Sequence, residues 1–211
     1  MPASIFLHLG CKSRNSASLF FFLWKYPEDC RTNHCNTEVR VYLIGFMGSG
    51  KTLVGQNLAK ALSFSFIDLD DRIEEEAGMP IREIFKQQGE TRFRKLEQHA
   101  LQATRTLEQT IIATGGGTPC FFENLSWMNR HGLTFYLKVS PEILAQRLES
   151  QTIHRPLLAG KTSGELIHFI KHKLEVRLPY YRQAHITVEA GVPAEDLVKR
   201  LVQTWKNITG H

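Results

Sequence analysis

Eight consecutive residues, Gly45-Phe46-Met47-Gly48-Ser49-Gly50-Lys51-Thr52, fit the spacing G-x-x-x-x-G-K-[ST], a pattern built to hold a triphosphate. Gly45, Gly48 and Gly50 let the backbone turn tightly and aim several N–H groups at one anion, and a following helix N-terminus adds partial positive charge. Gly48, Ser49, Gly50, Lys51 and Thr52 are the expected nucleotide contacts, with Lys51 on the β- and γ-phosphates and the Thr52 hydroxyl on Mg²⁺. Transfer of the γ-phosphoryl needs two more things: a carboxylate for the metal and a group that handles the acceptor hydroxyl. Asp68 and Asp70 supply both, Asp68 holding Mg²⁺ through water and Asp70 accepting a hydrogen bond from the attacking hydroxyl. Arg94 has Glu97 one helical turn away to fix its direction, and a guanidinium so held suits an acceptor carboxylate, whose two oxygens match its fork. Arg155 and Arg177 are further candidates, and Gly115-Gly116-Gly117 would give an acceptor close access to backbone.

Other clusters point to the surface. Cys30, His34 and Cys35 lack a second pair at zinc-finger spacing; His168 and His172, one turn apart, lack an acidic third ligand, so a solvated helix face explains these two histidines. The formal charge of +5 comes from dispersed basic residues with no run of five, which suits an anionic small molecule rather than nucleic acid. An apolar content of 42% over 211 residues is enough for a real core, and no apolar run approaches the ~20 residues that cross a bilayer, so a soluble protein with no membrane partner is expected. Three of four cysteines lie in the first 35 residues, which is no disulfide framework for a domain.

The elements that must position these residues alternate. Strands are expected over 39–44, 64–67, 110–113, 133–139 and 185–188. Helices are expected after the phosphate loop, from Asp68 to Ala77, around Ile81–Phe85, after Gly89, over 121–130 and 141–149, along the Leu166/Ile170/Leu174/Leu178 stripe up to Pro179, and from Pro193 to Trp205. Residues 150–164 lack periodicity and read as a lid carrying Arg155. Five strands alternating with helices make a doubly wound parallel α/β sheet, with ligands at the carboxyl ends of the strands.

In order along the chain, Gly45 to Thr52, Asp68-x-Asp70, Phe93-Arg94-x-x-Glu97, Gly115-Gly116-Gly117, Arg155-Pro156-Leu157-Leu158 and Arg177-x-x-Tyr180 resemble the shikimate kinases over residues 39–205. That resemblance implies a three-layer α/β/α phosphate-loop kinase of the nucleoside-monophosphate-kinase type, with a five-stranded parallel sheet and a lid. It implies Mg²⁺-dependent transfer of the ATP γ-phosphate to the 3-hydroxyl of shikimate, on the route to chorismate and the aromatic amino acids. The catalytic residues would be Lys51, Asp70 and Arg155. Asp70, Arg94, Gly115, Gly116, Gly117 and Arg177 would bind shikimate, with Arg94 and Arg177 on its carboxylate, and Phe85 and Phe93 would wall its ring. Arg155 would close over both substrates, and Arg147 and the loop near Pro193 would contact adenine. ATP and shikimate are the expected partners of a monomer. The arginines and the triple glycine argue against a gluconate or nucleoside monophosphate kinase, and the missing N-K-x-D argues against a GTPase-like switch.

The domain is expected over residues 37–211. Residues 1–36, rich in Ser, Asn, Cys and Phe, read as an extension outside it that arises from a misassigned start or is disordered. A cytoplasmic protein is expected, or an organellar one if the extension is a transit segment.

Overall fold

Along Arg40–Ile44 (β1), alternate residues face opposite sides of a sheet: Val41 and Leu43 enter one apolar cluster, and Tyr42 and Ile44 enter another. Burial on both faces is what a central strand of a parallel sheet requires, and it explains why the segment reads as a continuous apolar run rather than an alternation. A computed structural model describes residues 39–149 and 162–210, and all its strands run parallel in the order β2-β3-β1-β4-β5. The others are Ser65–Asp68 (β2), Thr110–Ala113 (β3), Leu133–Lys138 (β4) and Ile186–Glu189 (β5). In register, Leu43 lies opposite Ala113 and Phe135, so the loops after β1, β3 and β4 leave the sheet at one edge.

Helices cover both faces. Lys51–Leu62 (α1) follows the phosphate loop; Leu69–Ala77 (α2), Ile81–Ala103 (α3) and Asn124–His131 (α4) follow in the middle of the chain; Pro141–Glu149 (α5), Ser163–Tyr181 (α6) and Ala194–Thr209 (α7) complete it. The first cluster joins Val54 and Leu58 of α1, Leu144 and Leu148 of α5, and Leu197, Leu201 and Trp205 of α7 to the sheet. The second joins Leu69, Ile73, Phe93 and Leu101, from α2 and α3, and Tyr181 at the end of α6. Each such side chain taken fully from water contributes about 1.5–3 kcal/mol. The parallel α/β sheet is the expected architecture.

Several boundaries differ from the sequence reading, each for a local reason. The helix expected from Phe121 begins at Asn124, because Phe122 and Glu123 take left-handed φ values of 48° and 58° after a single 3₁₀ turn at Thr118–Cys120. Pro179 does not end α6 but sits inside its last turn. Ser163 and Gly164, assigned to the lid, form the first turn of α6, where Thr162 and Glu165 make a reciprocal capping box. Gly89, at φ 76° and ψ 170°, breaks α3 where a second helix was expected to start. The 1–36 extension and Arg155 with the rest of segment 150–161 lie outside the described residues. Among the described residues no helix is long and apolar enough to cross a membrane.

Candidate active site

The loop between β1 and α1 turns through three glycines of positive φ, Gly45, Gly48 and Gly50, the last of them opening the helix at φ 91°. Lys51 Nζ donates to the carbonyls of Gly45 and Phe46 at 2.9 and 3.0 Å, so the ammonium already lies across the loop that would hold phosphate. Ser49 is buried, and its Oγ has no hydrogen-bond partner. The Thr52 hydroxyl donates to Asp68 Oδ2 at 2.7 Å, linking the start of α1 to the end of β2.

Asp68 caps α2, and its Oδ1 accepts the backbone N–H of Asp70 at 3.1 Å. With both oxygens of Asp68 so used, Asp70 projects its own carboxylate inward, where Oδ1 is buried without a partner. Burial, reinforced by the charge of Asp68, pushes the Asp70 carboxyl up to about 6, while Lys51 acts the other way. An ionisable oxygen buried without a partner marks a place where another group is meant to bond.

These residues line a crevice of roughly 520 Å³ at the carboxyl edge of the sheet, walled by the loop from Met47 to Thr52, Asp68, Asp70, Gly116, Arg147 and Pro193. Arg147 extends from α5 to the carbonyls of Gly48, Ser49 and Ala190 at 3.3–3.5 Å, tying the phosphate loop to the segment that leads into Pro193, the cap of α7. The Thr52 hydroxyl and the Asp68 carboxylate put hard oxygen donors in the crevice. Such a site fits Mg²⁺, which keeps several waters and takes phosphate oxygens besides one or two protein ligands.

A second chamber adjoins the crevice. Arg94 Nη1 donates to Glu97 Oε2 at 2.8 Å, and its Nε and Nη2 donate to Glu90 Oε1 at 3.2 and 3.0 Å. Its guanidinium also lies 4.2 Å from the Phe121 ring centroid and 5.1 Å from that of Phe93. Glu97 is 1% exposed and accepts the Thr118 hydroxyl at 2.6 Å with its other oxygen. Phe85 and Phe93 pack at 4.5 Å, Phe93 buried and Phe85 reaching the surface. The triple glycine runs between these groups: a Cβ on Gly115 would lie 2.7 Å from Glu97 Oε1 and 3.0 Å from Asp70 Oδ1, and one on Gly117 2.8 Å from Arg94. Arg177 approaches Gly116 and lies 5.3 Å from the Phe46 ring.

The sequence candidates among the described residues therefore gather at one edge, with the phosphate-loop group in the crevice and the arginine–glycine group beside it. Thr118, Phe121 and Tyr181 were not singled out from sequence. The nearest signal was spacing: Tyr181 stands four residues after Arg177, on its face of α6, whereas the Tyr180 of the motif is 40% exposed.

A family model for shikimate kinase matches residues 47–206. A shikimate kinase from Parabacteroides distasonis is 48% identical over 151 residues, 72% of this chain and 87% of that protein. The crystal structure of a shikimate kinase from Bacteroides thetaiotaomicron superimposes with a TM-score of 0.77 at 41% identity, covering 80% of this chain and 98% of that one. A shikimate kinase from Acinetobacter baumannii, solved in complex with shikimate, gives 0.73 at 33% identity, covering 82% and 95% of the two chains. A gluconokinase from Sinorhizobium meliloti, with TM-score 0.54 and 16% identity over 82% of this chain and 94% of that one, shares the fold.

Proposed function

The chain belongs to the shikimate kinase family, and from that premise we propose how its own residues divide the transfer of the ATP γ-phosphoryl to the 3-hydroxyl of shikimate. The single observation that carries the assignment of roles is the unpartnered Asp70 Oδ1 between the phosphate loop and the Arg94 chamber. A carboxylate there accepts the acceptor's 3-hydroxyl proton as its bond to phosphorus forms, and burial raises its basicity for that task.

Lys51 and the N–H groups of Gly48, Ser49 and Gly50 hold the phosphates, and Lys51 exchanges its loop carbonyls for phosphoryl oxygens as charge develops on them. Thr52 and Asp68 would hold Mg²⁺, which when bound supplies charge neutralisation to the triphosphate. Arg147 and Pro193 flank the position for adenine.

On the acceptor side, Arg94 and Arg177 bind the carboxylate of shikimate, Phe85 and Phe93 support its ring, and Gly115, Gly116 and Gly117 bring backbone within reach of its hydroxyls. Glu97 keeps Arg94 aimed. Arg155, from the sequence pattern of its segment, closes over both substrates and stabilises charge on the moving phosphoryl. Atoms balance: the γ-phosphoryl leaves ADP, the O3–phosphorus bond forms, and the hydroxyl proton passes to Asp70 and then to solvent.

ADP release measured with shikimate, gluconate, CMP and no acceptor tests this reading. Turnover with shikimate and background rates with the other three are expected. Equal turnover with gluconate or CMP would show that the arginine chamber does not select the acceptor.

A further inference from the structure

Tyr181 closes α6 fully buried, its ring 5.0 Å from that of Tyr136 on β4. Its hydroxyl donates to the Gly116 carbonyl at 2.5 Å. Burial raises the phenol well above its ordinary value, so it remains a donor. Gly116 sits at a junction: a Cβ there would lie 3.2 Å from Met47 N, 3.3 Å from Arg177 Nη1 and 3.4 Å from the Gly45 carbonyl. Phosphate loop, acceptor arginine and triple glycine therefore meet at this one residue.

A trans peptide is planar, so the carbonyl of Gly116 and the N–H of Gly117 point in opposite directions. Drawing that carbonyl onto a buried phenol turns the Gly117 N–H away from the core. Glycines do not fix their own peptide planes, since no side chain restricts them. We propose that Tyr181 is a positioning residue for the acceptor: its hydroxyl fixes the Gly116–Gly117 peptide plane between Arg177 and the phosphate loop, and so sets where the acceptor hydroxyl stands relative to the γ-phosphoryl. Arg177 and Tyr181 share a face of α6 one turn apart, so the helix that brings the arginine also brings the lock. This rests on the acceptor-site reading given above.

The test is Tyr181→Phe, which keeps the ring on Tyr136 and removes the donor, beside 4-aminophenylalanine at position 181, which restores one. Steady-state kinetics with both substrates varied, ATP binding by calorimetry and thermal melts are the readouts. Expected for Phe is a fall of about tenfold in kcat/KM for shikimate, the effect of one lost hydrogen bond to a buried group, with ATP affinity unchanged. The amino variant should recover at least half of that loss on a logarithmic scale, and it alone tests the idea if the Phe protein does not fold. Wild-type kinetic constants with only a lower melting temperature, or equal losses for ATP and shikimate, overturn the proposal. Arg177→Ala run in parallel separates the two levels: if its KM for shikimate is unchanged, the acceptor-site reading fails; if that KM rises while Tyr181→Phe is silent, only the positioning role fails.

Discussion

The backbone N–H of Asp70 is bonded to Asp68 Oδ1 at 3.1 Å, while the other oxygen of Asp68 takes the Thr52 hydroxyl at 2.7 Å. One aspartate is thus committed to holding two elements together, and the other, two residues on, has a buried oxygen with no partner. The sequence reading assigns them different roles, Asp68 on the metal and Asp70 on the acceptor hydroxyl. Their bonding makes one a fixed anchor and the other an available base.

Asp68→Asn and Asp70→Asn should therefore differ. An amide at 68 can still cap α2 with its oxygen and donate its NH2 to the Thr52 hydroxyl, so stability should change by less than about 1 kcal/mol; with the charge gone, the Mg²⁺ needed for half-maximal rate should rise. Asp70→Asn keeps shape and loses charge; it should fold at least as well as the wild type and still bind MgATP, yet turn over shikimate at least about 10²-fold more slowly. A Mg²⁺ titration of kcat for both variants, beside thermal melts, checks this. Wild-type turnover in Asp70→Asn would remove that residue from the mechanism.

Glu97→Gln addresses the Arg94 chamber. Glu97 is almost wholly enclosed and spends one oxygen on Arg94 and the other on Thr118. A glutamine cannot accept at both positions, and it leaves a guanidinium whose side chain is 11% exposed with only Glu90 as counter-charge. The expected loss is about 2–3 kcal/mol in urea denaturation, below the full effect of breaking a buried pair because Glu90 remains. The KM for shikimate should rise with it. Unchanged stability would mean that Glu90 alone balances Arg94.

How far the sequence disclosed this site depended on whether each contact was local. The phosphate loop, the α2 cap and the Arg94–Glu97 pair are set by spacings of one to eight residues, and each stands where its spacing implied. The inner strands β1, β3 and β4 were visible because burial on both faces leaves continuous apolar runs. Contacts between distant segments were not legible: Thr118 to Glu97 spans 21 positions and Tyr181 to Gly116 spans 65. Tyr180 and Tyr181 are the clearest case, since adjacent aromatics on a helix differ by about 100° of rotation and only the packed sheet decides which one enters the core. The late start of α4 arose similarly, because two non-glycine residues in left-handed conformation carry little sequence signal.

Cys120 provides a pH-dependent reporter of the same chamber. Burial raises its thiol to about 11, against the pull of Arg177 and Arg94. At pH 8 its thiolate is about 10²-fold scarcer than in an exposed cysteine, and iodoacetamide should modify it correspondingly slowly, with the rate rising about tenfold per pH unit up to pH ~10. An acidic acceptor between the two arginines offsets their charge, so saturating shikimate should slow the reaction further. Because the folded value is raised, the neutral thiol is favoured in the native state, and this contribution to stability falls as pH rises from 9 towards 11. Peptide mapping of Cys120 at several pH values is the measurement; a rate equal to that of free cysteine at pH 8 would contradict it.

Gly117→Ala tests the chamber sterically. The backbone raises no objection, because Gly117 has φ −93°, a value open to any residue. The added methyl, however, would lie 2.8 and 2.9 Å from the two terminal nitrogens of Arg94 and 3.1 Å from Cζ. The guanidinium has little room to retreat: Glu97 and Glu90 hold its nitrogens, and the Phe121 ring lies 4.2 Å away. It must tilt by several tenths of an ångström, and a forked contact to a carboxylate is sensitive to such a tilt. The expected result is a rise of at least about tenfold in the KM for shikimate, the size of one charge-assisted hydrogen bond, with ATP affinity unchanged. Gly164→Ala is the control, since a Cβ there meets nothing within 4 Å in the first turn of α6. Both proteins should fold, and only the first should lose its hold on the acceptor. If Gly117→Ala binds shikimate as the wild type does, Arg94 does not hold the acceptor carboxylate, and Arg177 must do so without it.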